Sequence, residues 1–260
     1  MQNYGLPGIG SARTATPRTV LKSIDNAVFL PGGGIIDGSE SRDPLNTSNV
    51  YNLRAGMLMG KRSSDGLWAP SIIGLTTAAA TAGQGQLTVS AATAVEINRR
   101  VGTSGNLRMV GPASASAGAV AEEIIAYSAI NVTTGVITCS GDPVAAMVSG
   151  SIIGANDGSF WPLAIIPDGF GIRVTDEDAS SIDVPFPKIL IGGIVDASQI
   201  INWPTDDECK QWIRTKMNGL GTANMIFDDL YSGVPELSET PTPTPTPTPN
   251  PTPKPTPTPT

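Results

Sequence analysis

The side chains best placed to do chemistry in this chain are carboxylates, because its 260 residues include no histidine. That removes the commonest general base, the usual partner of a nucleophile and the commonest zinc ligand. Asp176, Glu177 and Asp178, with Asp183, could bind calcium, but their spacing matches no calcium loop and an acidic turn is ordinarily just solvated. Asp206, Asp207 and Glu208 could act as general acid and base, yet they stand where a helix begins, and helix capping accounts for them. Asp168 lies in an ordinary turn. Pro31-Gly32-Gly33-Gly34 lacks the Gly-Lys-Ser/Thr ending of a phosphate loop, and the GIGSA run near the start lacks the strand–helix setting. Cys139 and Cys209 are too few and too far apart for a disulfide framework or a metal knuckle, and read as two reduced, semi-buried thiols. Asn46-Thr47-Ser48 and Asn131-Val132-Thr133 match the glycosylation sequon, which is frequent by chance and needs a secretory route. The expectation is therefore no catalytic, cofactor-binding or metal-ligating residue, no cofactor, and no enzyme.

Composition points the same way. Aromatic residues make up 5% and charged residues 15%, while Gly, Ala, Ser and Thr are abundant. That balance suits a β-rich, loop-rich structural protein. With 16 basic and 23 acidic residues the net charge is −7, and only Lys61-Arg62 and Arg99-Arg100 pair up. Nucleic acid is not an expected partner, since neutralising phosphates needs clustered cations. The first 20 residues have no signal-peptide core and no run has the length of a membrane span, so no membrane partner is expected either.

Along the chain, residues 1–49 form an extended N-terminal arm, rich in Gly, Pro, Ser and Asn, with one apolar patch at 20–36. Residues 50–75 read as a hairpin. Leu53 and Met57–Gly60 make its first strand, Ser64-Asp65-Gly66 its turn, and Leu67–Ala69 its return strand, which Pro70 interrupts or confines to an edge. Residues 76–155 read as an inserted β-rich subdomain. In it Ser90 caps a short helix that Gly102 ends, and 131–135 turn a hairpin between strands 122–130 and 135–140. The imperfect alternation of 124–129 predicts a strand at least partly covered on both faces. Residues 156–203 return to β pattern, with two prolines in 185–187 excluding a central strand position. The spacing of Cys209, Trp212, Ile213, Met217 and Leu220 predicts one long helix over 205–219, with Thr205 as cap, Glu208 completing a capping box, and Gly219 or Gly221 at its end. Residues 233–260 are linker and tail. Ten of the 21 residues in 240–260 are proline, which favours an extended polyproline stalk, a spacer, a surface whisker or a glycosylated threonine array.

Three stretches carry a family resemblance. LRAGMLMGKRSSDGLWAP (53–70) resembles the early hairpin of the lambda-type capsid decoration (head-stabilisation) proteins of tailed phages. DGSFWPLAIIPDGFGIRVTDED (157–178), followed by IGGIVDASQIINWP (191–204), resembles their central β segment, and TDDECKQWIRTKMNGLGTANMIFDDLY (205–231) their acid-opened helix, Gly-containing turn and last strand. The resemblance covers roughly 50–75 and 156–231; the longer arm, the 76–155 insertion and the Pro-Thr tail depart from the small family members.

The resemblance implies a mostly β (β-rich α+β) fold with a decoration-protein-like core of 50–75 and 156–232. It implies a structural virion protein made in the host cytoplasm, bound to the major capsid protein on the outer capsid surface as a homotrimer at local threefold positions. Trp68, Trp203, Trp212, Phe227 and Tyr231 are the candidate interface or core anchors, as large aromatics dominate both settings. The insertion or the tail could contact a glycan or a host surface. The competing expectations are a secreted carbohydrate- or surface-binding module with a Pro-Thr linker, and a tail or fibre accessory protein.

Overall fold

Short apolar runs broken every few residues by Gly, Pro and Asx turns favour short strands, and the chain is mostly β, with two α-helices among the described residues. The computed structural model describes residues 18–79, 85–112, 120–140, 148–167, 169, 171–175, 180–218 and 225–228. The N-terminal 17 residues, the acidic positions 176–178, Asp168, Gly219, Gly221, Tyr231 and the whole of 233–260 lie outside them. All the described strands and helices belong to one compact unit within residues 1–229.

In chain order the strands are β1 (Val28–Phe29), β2 (Gly34–Ile36), β3 (Asn52–Leu53), β4 (Leu58–Lys61), β5 (Trp68–Pro70), β6 (Gly74–Leu75) and β7 (Gln86–Thr88), then helix α1 (Ala91–Arg100). Next come β8 (Gly105–Pro112), β9 (Val120–Asn131), β10 (Val136–Cys139), β11 (Ile152–Ala155), β12 (Ala164–Ile165), β13 (Ile172–Arg173), β14 (Val184–Phe186) and β15 (Leu190–Val195). Helix α2 (Asp207–Asn218) and strand β16 (Met225–Phe227) close the described chain.

An eight-stranded sheet runs β1-β15-β12-β4-β5-β2-β14, with β16 added in parallel to β15. Residues 18–49 are thus not a free arm. Val20 and Ile36 are buried, Lys22 N–H donates to Ile194 C=O, and Ile36 pairs with Trp68. The segment escapes a periodicity argument because β1 and β2 are two and three residues long and separated by a turn in which Gly32 and Gly33 take positive φ. Leu53 also departs from expectation: it pairs with Ile172 in a separate two-stranded ladder, not in the β4–β5 hairpin. Pro185 stands on the edge strand β14, as its missing N–H requires. Strand β5 is interior, but β2 pairs it only at Trp68, so the Pro70 ring faces a side where no strand runs.

The second sheet is built from 74–155 alone, in the order β6-β11-β8-β9-β10-β7. Its two ends meet: Thr76 bridges Val89, and Thr77 N–H donates to Thr88 C=O. Every neighbouring pair is antiparallel, so the sheet curls into a small closed barrel. Leu87, Leu107, Met109, Ile125, Tyr127, Ile137 and Ile153 fill it, together with Ala94 and Ile97 of α1. Ser90 caps α1 through Thr93 N–H (3.1 Å), and Gly102 follows its end at φ +111°. The 131–135 hairpin forms, with Asn131 Oδ1 accepting from Thr133 and Thr134 N–H and Gly135 at φ +74°, where a Cβ would meet Val89 C=O.

The alternation in β9 has a different cause from two-sided cover. A bulge places Ser128 and Ala129 together opposite Thr138, so the inward set runs Ile125, Tyr127, Ile130 and the outward set Ile124, Ala126, Ser128, Ala129. The outward set is exposed.

Helix α2 starts at Asp207, and its cap is Asp206 in place of Thr205: Asp206 Oδ1 accepts from Cys209 N–H (2.9 Å) and its C=O from Lys210 N–H. Cys209, Trp212, Ile213 and Met217 are buried, as their spacing predicts.

Candidate interaction surface

Of the aromatic residues expected as interface or core anchors, Trp68, Trp212 and Phe227 lie in the core. Trp212 and Phe227 lie in one core cluster, with half-buried Trp203 packed against it. Trp203 stacks on Phe227 at 4.8 Å, and Trp212 meets Phe160 at 5.2 Å. Trp68 is buried in another cluster with Ile36, Met59 and Ile189, with Lys61 over its ring. Tyr231 is outside the described residues.

The largest polar constellation is a seam that sequence reasoning missed. It joins the end of α1 and the turn after β11, which belong to the barrel, to the β4–β5 hairpin and the 37–42 loop of the larger sheet. Arg100 sits at its centre with a side chain only 1% exposed. It donates to Pro70 C=O (2.7 Å), Asp157 Oδ2 (2.9 Å) and Ser159 Oγ. Asp157 also faces Arg62 Nε at 3.8 Å, and Arg62 reaches Asp37 and Asp65. Arg99 holds Glu96 through two bonds (2.6 and 2.9 Å) and donates to Ser39 C=O. Sequence placed Arg99-Arg100 in the last helical turn, where the dipole explains two cations; which of them turns inward depends on a turn 57 residues later.

Charge in the seam is fixed by these partners. Burial alone would push Asp157 up, but the Arg100 charge and the bonds from Ser159 outweigh it and hold the carboxyl below its ordinary value. Asp37 behaves alike: burial opposes ionisation, and the bonds from Ser39, Glu40 N–H and Arg62 overcome it. Asp157 and Asp37 are thus both held in their charged form near neutral pH. Burial pushes the Cys209 thiol up to about 12, which suits an inert core residue, and Cys139 is buried too. Among the described residues no group of Cys, Asp and Glu is arranged to hold a metal, and no helix is long and apolar enough to cross a membrane.

The outer wall of the barrel is one exposed face of the described molecule. Across β8 and β9, Arg108 bonds Glu122 (2.8 Å) and Asn156 (2.9 Å) and lies over Trp161. Lys216 of α2 covers Trp161 at 4.2 Å and faces Glu122 at 3.8 Å. Beyond this clasp Ile124 is 50% and Val120 38% exposed, with exposed Ala126, Ser128, Ala129 and Thr138 alongside. These exposed side chains are aliphatic and hydroxylic and suit packing against another surface.

A scan against protein-family profiles, a search of curated proteins and a search of solved structures each find no match to this chain.

Proposed function

We propose that this chain is a structural virion protein that binds the major capsid protein on the outer surface of a tailed-phage capsid, as trimers at local threefold positions, and stabilises the shell. One observation carries the reading. The first of the stretches that resemble the lambda-type decoration proteins is far in sequence from the other two, which adjoin, yet they are built side by side: β15, β12, β4 and β5 are consecutive in the eight-stranded sheet, β16 pairs with β15, and α2 shares their core cluster. Such a protein needs no reaction. Each subunit buries surface against shell and neighbours, and many modest contacts repeated over the particle sum to a large effect. The exposed barrel wall and the ion-paired seam serve that role, the first as contact surface and the second as the tie that keeps the barrel in place.

The experiment is to add the purified chain to decoration-free heads, sediment them, and image the particle fraction with immunogold. Saturable binding over the heads, with DNA retained to a higher temperature, is the expected outcome. Label confined to tails, or no binding at saturating concentration, would overturn the reading.

A further inference from the structure

The barrel is closed at the β6–β7 junction, but among the described residues one stretch of β9 lacks a partner on one side. Strand β8 pairs with β9 from Pro112–Val120 to Gly105–Tyr127, the full first half of β9. On the other side β10 covers only the second half, ending at Cys139 opposite Tyr127, with a last bond from Ser140 N–H to Ala126 C=O. That bond fixes the parity. In a strand, alternate residues direct their main-chain groups to the same edge, so Ile124, Glu122 and Val120 direct theirs to the side that β10 has left. Among the described residues nothing pairs with them. Their side chains also lie together on the exposed wall, where Ile124 and Val120 are the two apolar ends and Glu122 the middle.

We infer that this edge of β9 pairs with the same edge of a second copy of the chain, antiparallel about a two-fold axis at Glu122. An open edge demands an extended backbone, and three features favour an identical one. First, the edge is self-complementary: with Glu122 on the axis, Val120 of each copy stands opposite Ile124 of the other, so apolar meets apolar. Secondly, its charge is locally balanced. Arg108 (2.8 Å) and Lys216 (3.8 Å) both face Glu122, so the two copies bring their Glu122 carboxylates together without the repulsion that a net charge of −7 would otherwise impose. Each Glu122 arrives on the axis already held by two cations. Thirdly, such a contact is isologous and closes on itself, which leaves no further edge to propagate.

The contact is small, so it is weak for free subunits and becomes effective where copies are held close. If the capsid reading holds, neighbouring threefold positions on an icosahedral shell are related by two-fold axes, and the barrels would link one trimer to the next. That placement rests on the proposed function; the pairing itself does not, and it is tested without heads.

Glu122→Cys puts two thiols across the axis, where an antiparallel pair brings the Cα atoms to about 5.5 Å, within disulfide range. Val95→Cys, exposed on α1 and away from the edge, measures random collision. Under mild oxidation at equal concentration Glu122→Cys should form the disulfide-linked dimer at least about tenfold faster than Val95→Cys, because pairing raises the local thiol concentration. The unmodified full chain gives the second reading: the amides of Glu122 and Ile124 should exchange fast when dilute and slow down as concentration rises. Equal cross-linking rates, or amide exchange independent of concentration, would overturn the inference. Protection already complete in dilute protein would mean that the edge is covered within the chain, and overturns it equally. Head binding can fail without touching these results, and they can fail without touching head binding.

Discussion

Replacing Arg100 by alanine is the sharpest test of how the barrel is held. The side chain is almost fully buried and joins three acceptors that belong to different elements: Pro70 in β5, and Asp157 and Ser159 in the turn after β11. Breaking a buried ion pair by removing one partner costs about 3–5 kcal/mol, because the other charge stays behind. Here Asp157 keeps some solvent and a distant Arg62 at 3.8 Å, which argues for the lower end, about 3 kcal/mol. For a unit of this size that lowers Tm by roughly 6–12 °C. The pH dependence is more diagnostic. In the intact protein Asp157 is held below its unfolded value of about 3.9, so its contribution is full above that pH and is lost as pH falls through the folded value. Without Arg100, burial is opposed only by the bonds from Ser159, so the carboxyl rises from its folded value and its charged form contributes less at neutral pH. Urea titrations of both proteins at pH 7 and pH 3 should show a gap that is widest at pH 7 and narrows in acid. A gap under about 1 kcal/mol, or one equal at both pH values, would refute the assignment of Arg100 as the tie.

Trp212→Ala should cost about 3–5 kcal/mol by chemical denaturation, whereas Trp212→Phe should cost much less, since the indole N–H donates to nothing among the described residues. Tyr127 donates to Gly102 C=O at 2.6 Å, and burial pushes its phenol up to about 12; in a spectrophotometric titration it should ionise after ordinary tyrosines, and stability should fall between about pH 10 and 12, a phase that Tyr127→Phe abolishes. Asp206→Ala should remove about 1 kcal/mol through the lost cap on Cys209 N–H, while Thr205→Ala should change stability by less than about 0.5 kcal/mol in the same thermal melts.

What could be read from sequence was local. The α1 cap and stop, the apolar stripe of α2 and the turns at Gly66 and Gly135 each depend on a few neighbouring residues, and each stands where its chemistry puts it. Trp68 and Trp203 could not be assigned to core or surface, because that depends on whether segments 18–49 and 225–228 come to lie beside them. The β9 bulge was visible only as broken alternation, a signal shared by two-sided burial. The unpaired edge of β9 was hidden: among the described residues the pairing by β10 stops short of that by β8, and where pairing stops is set by partners far along the chain. The closing bridge of Thr76 with Val89 is of the same kind, a product of curvature and not of pattern.

The insertion reading of 76–155 suggests a part that could be cut out, and the packing argues the reverse. Strands β6 and β11 stand next to each other, so the ends of the segment are close enough to rejoin. Yet the wall of the barrel that bears β8 and β11 is not an outer surface. Val110 and Ile152 are buried in the same cluster as Cys209, Trp212 and Ile213, with Cys209 Sγ 3.7 Å from Val110 C=O. Helix α2 therefore packs between the barrel and the rest of that core. Removing residues 76–151 would strip Val110 from it and leave Ile152 and one face of α2 in water. At about 1.5–3 kcal/mol for each fully buried aliphatic side chain, with Cys209 and Ile213 newly exposed as well, the loss approaches the 5–15 kcal/mol that holds a whole domain together. A chain with Leu75 joined to Ile152 through a short Gly-Ser linker should show no cooperative melt and should expose its Trp fluorescence to solvent. A sharp unfolding transition in that deletion would mean that the larger sheet and α2 carry their own core, and that the barrel is an appendage.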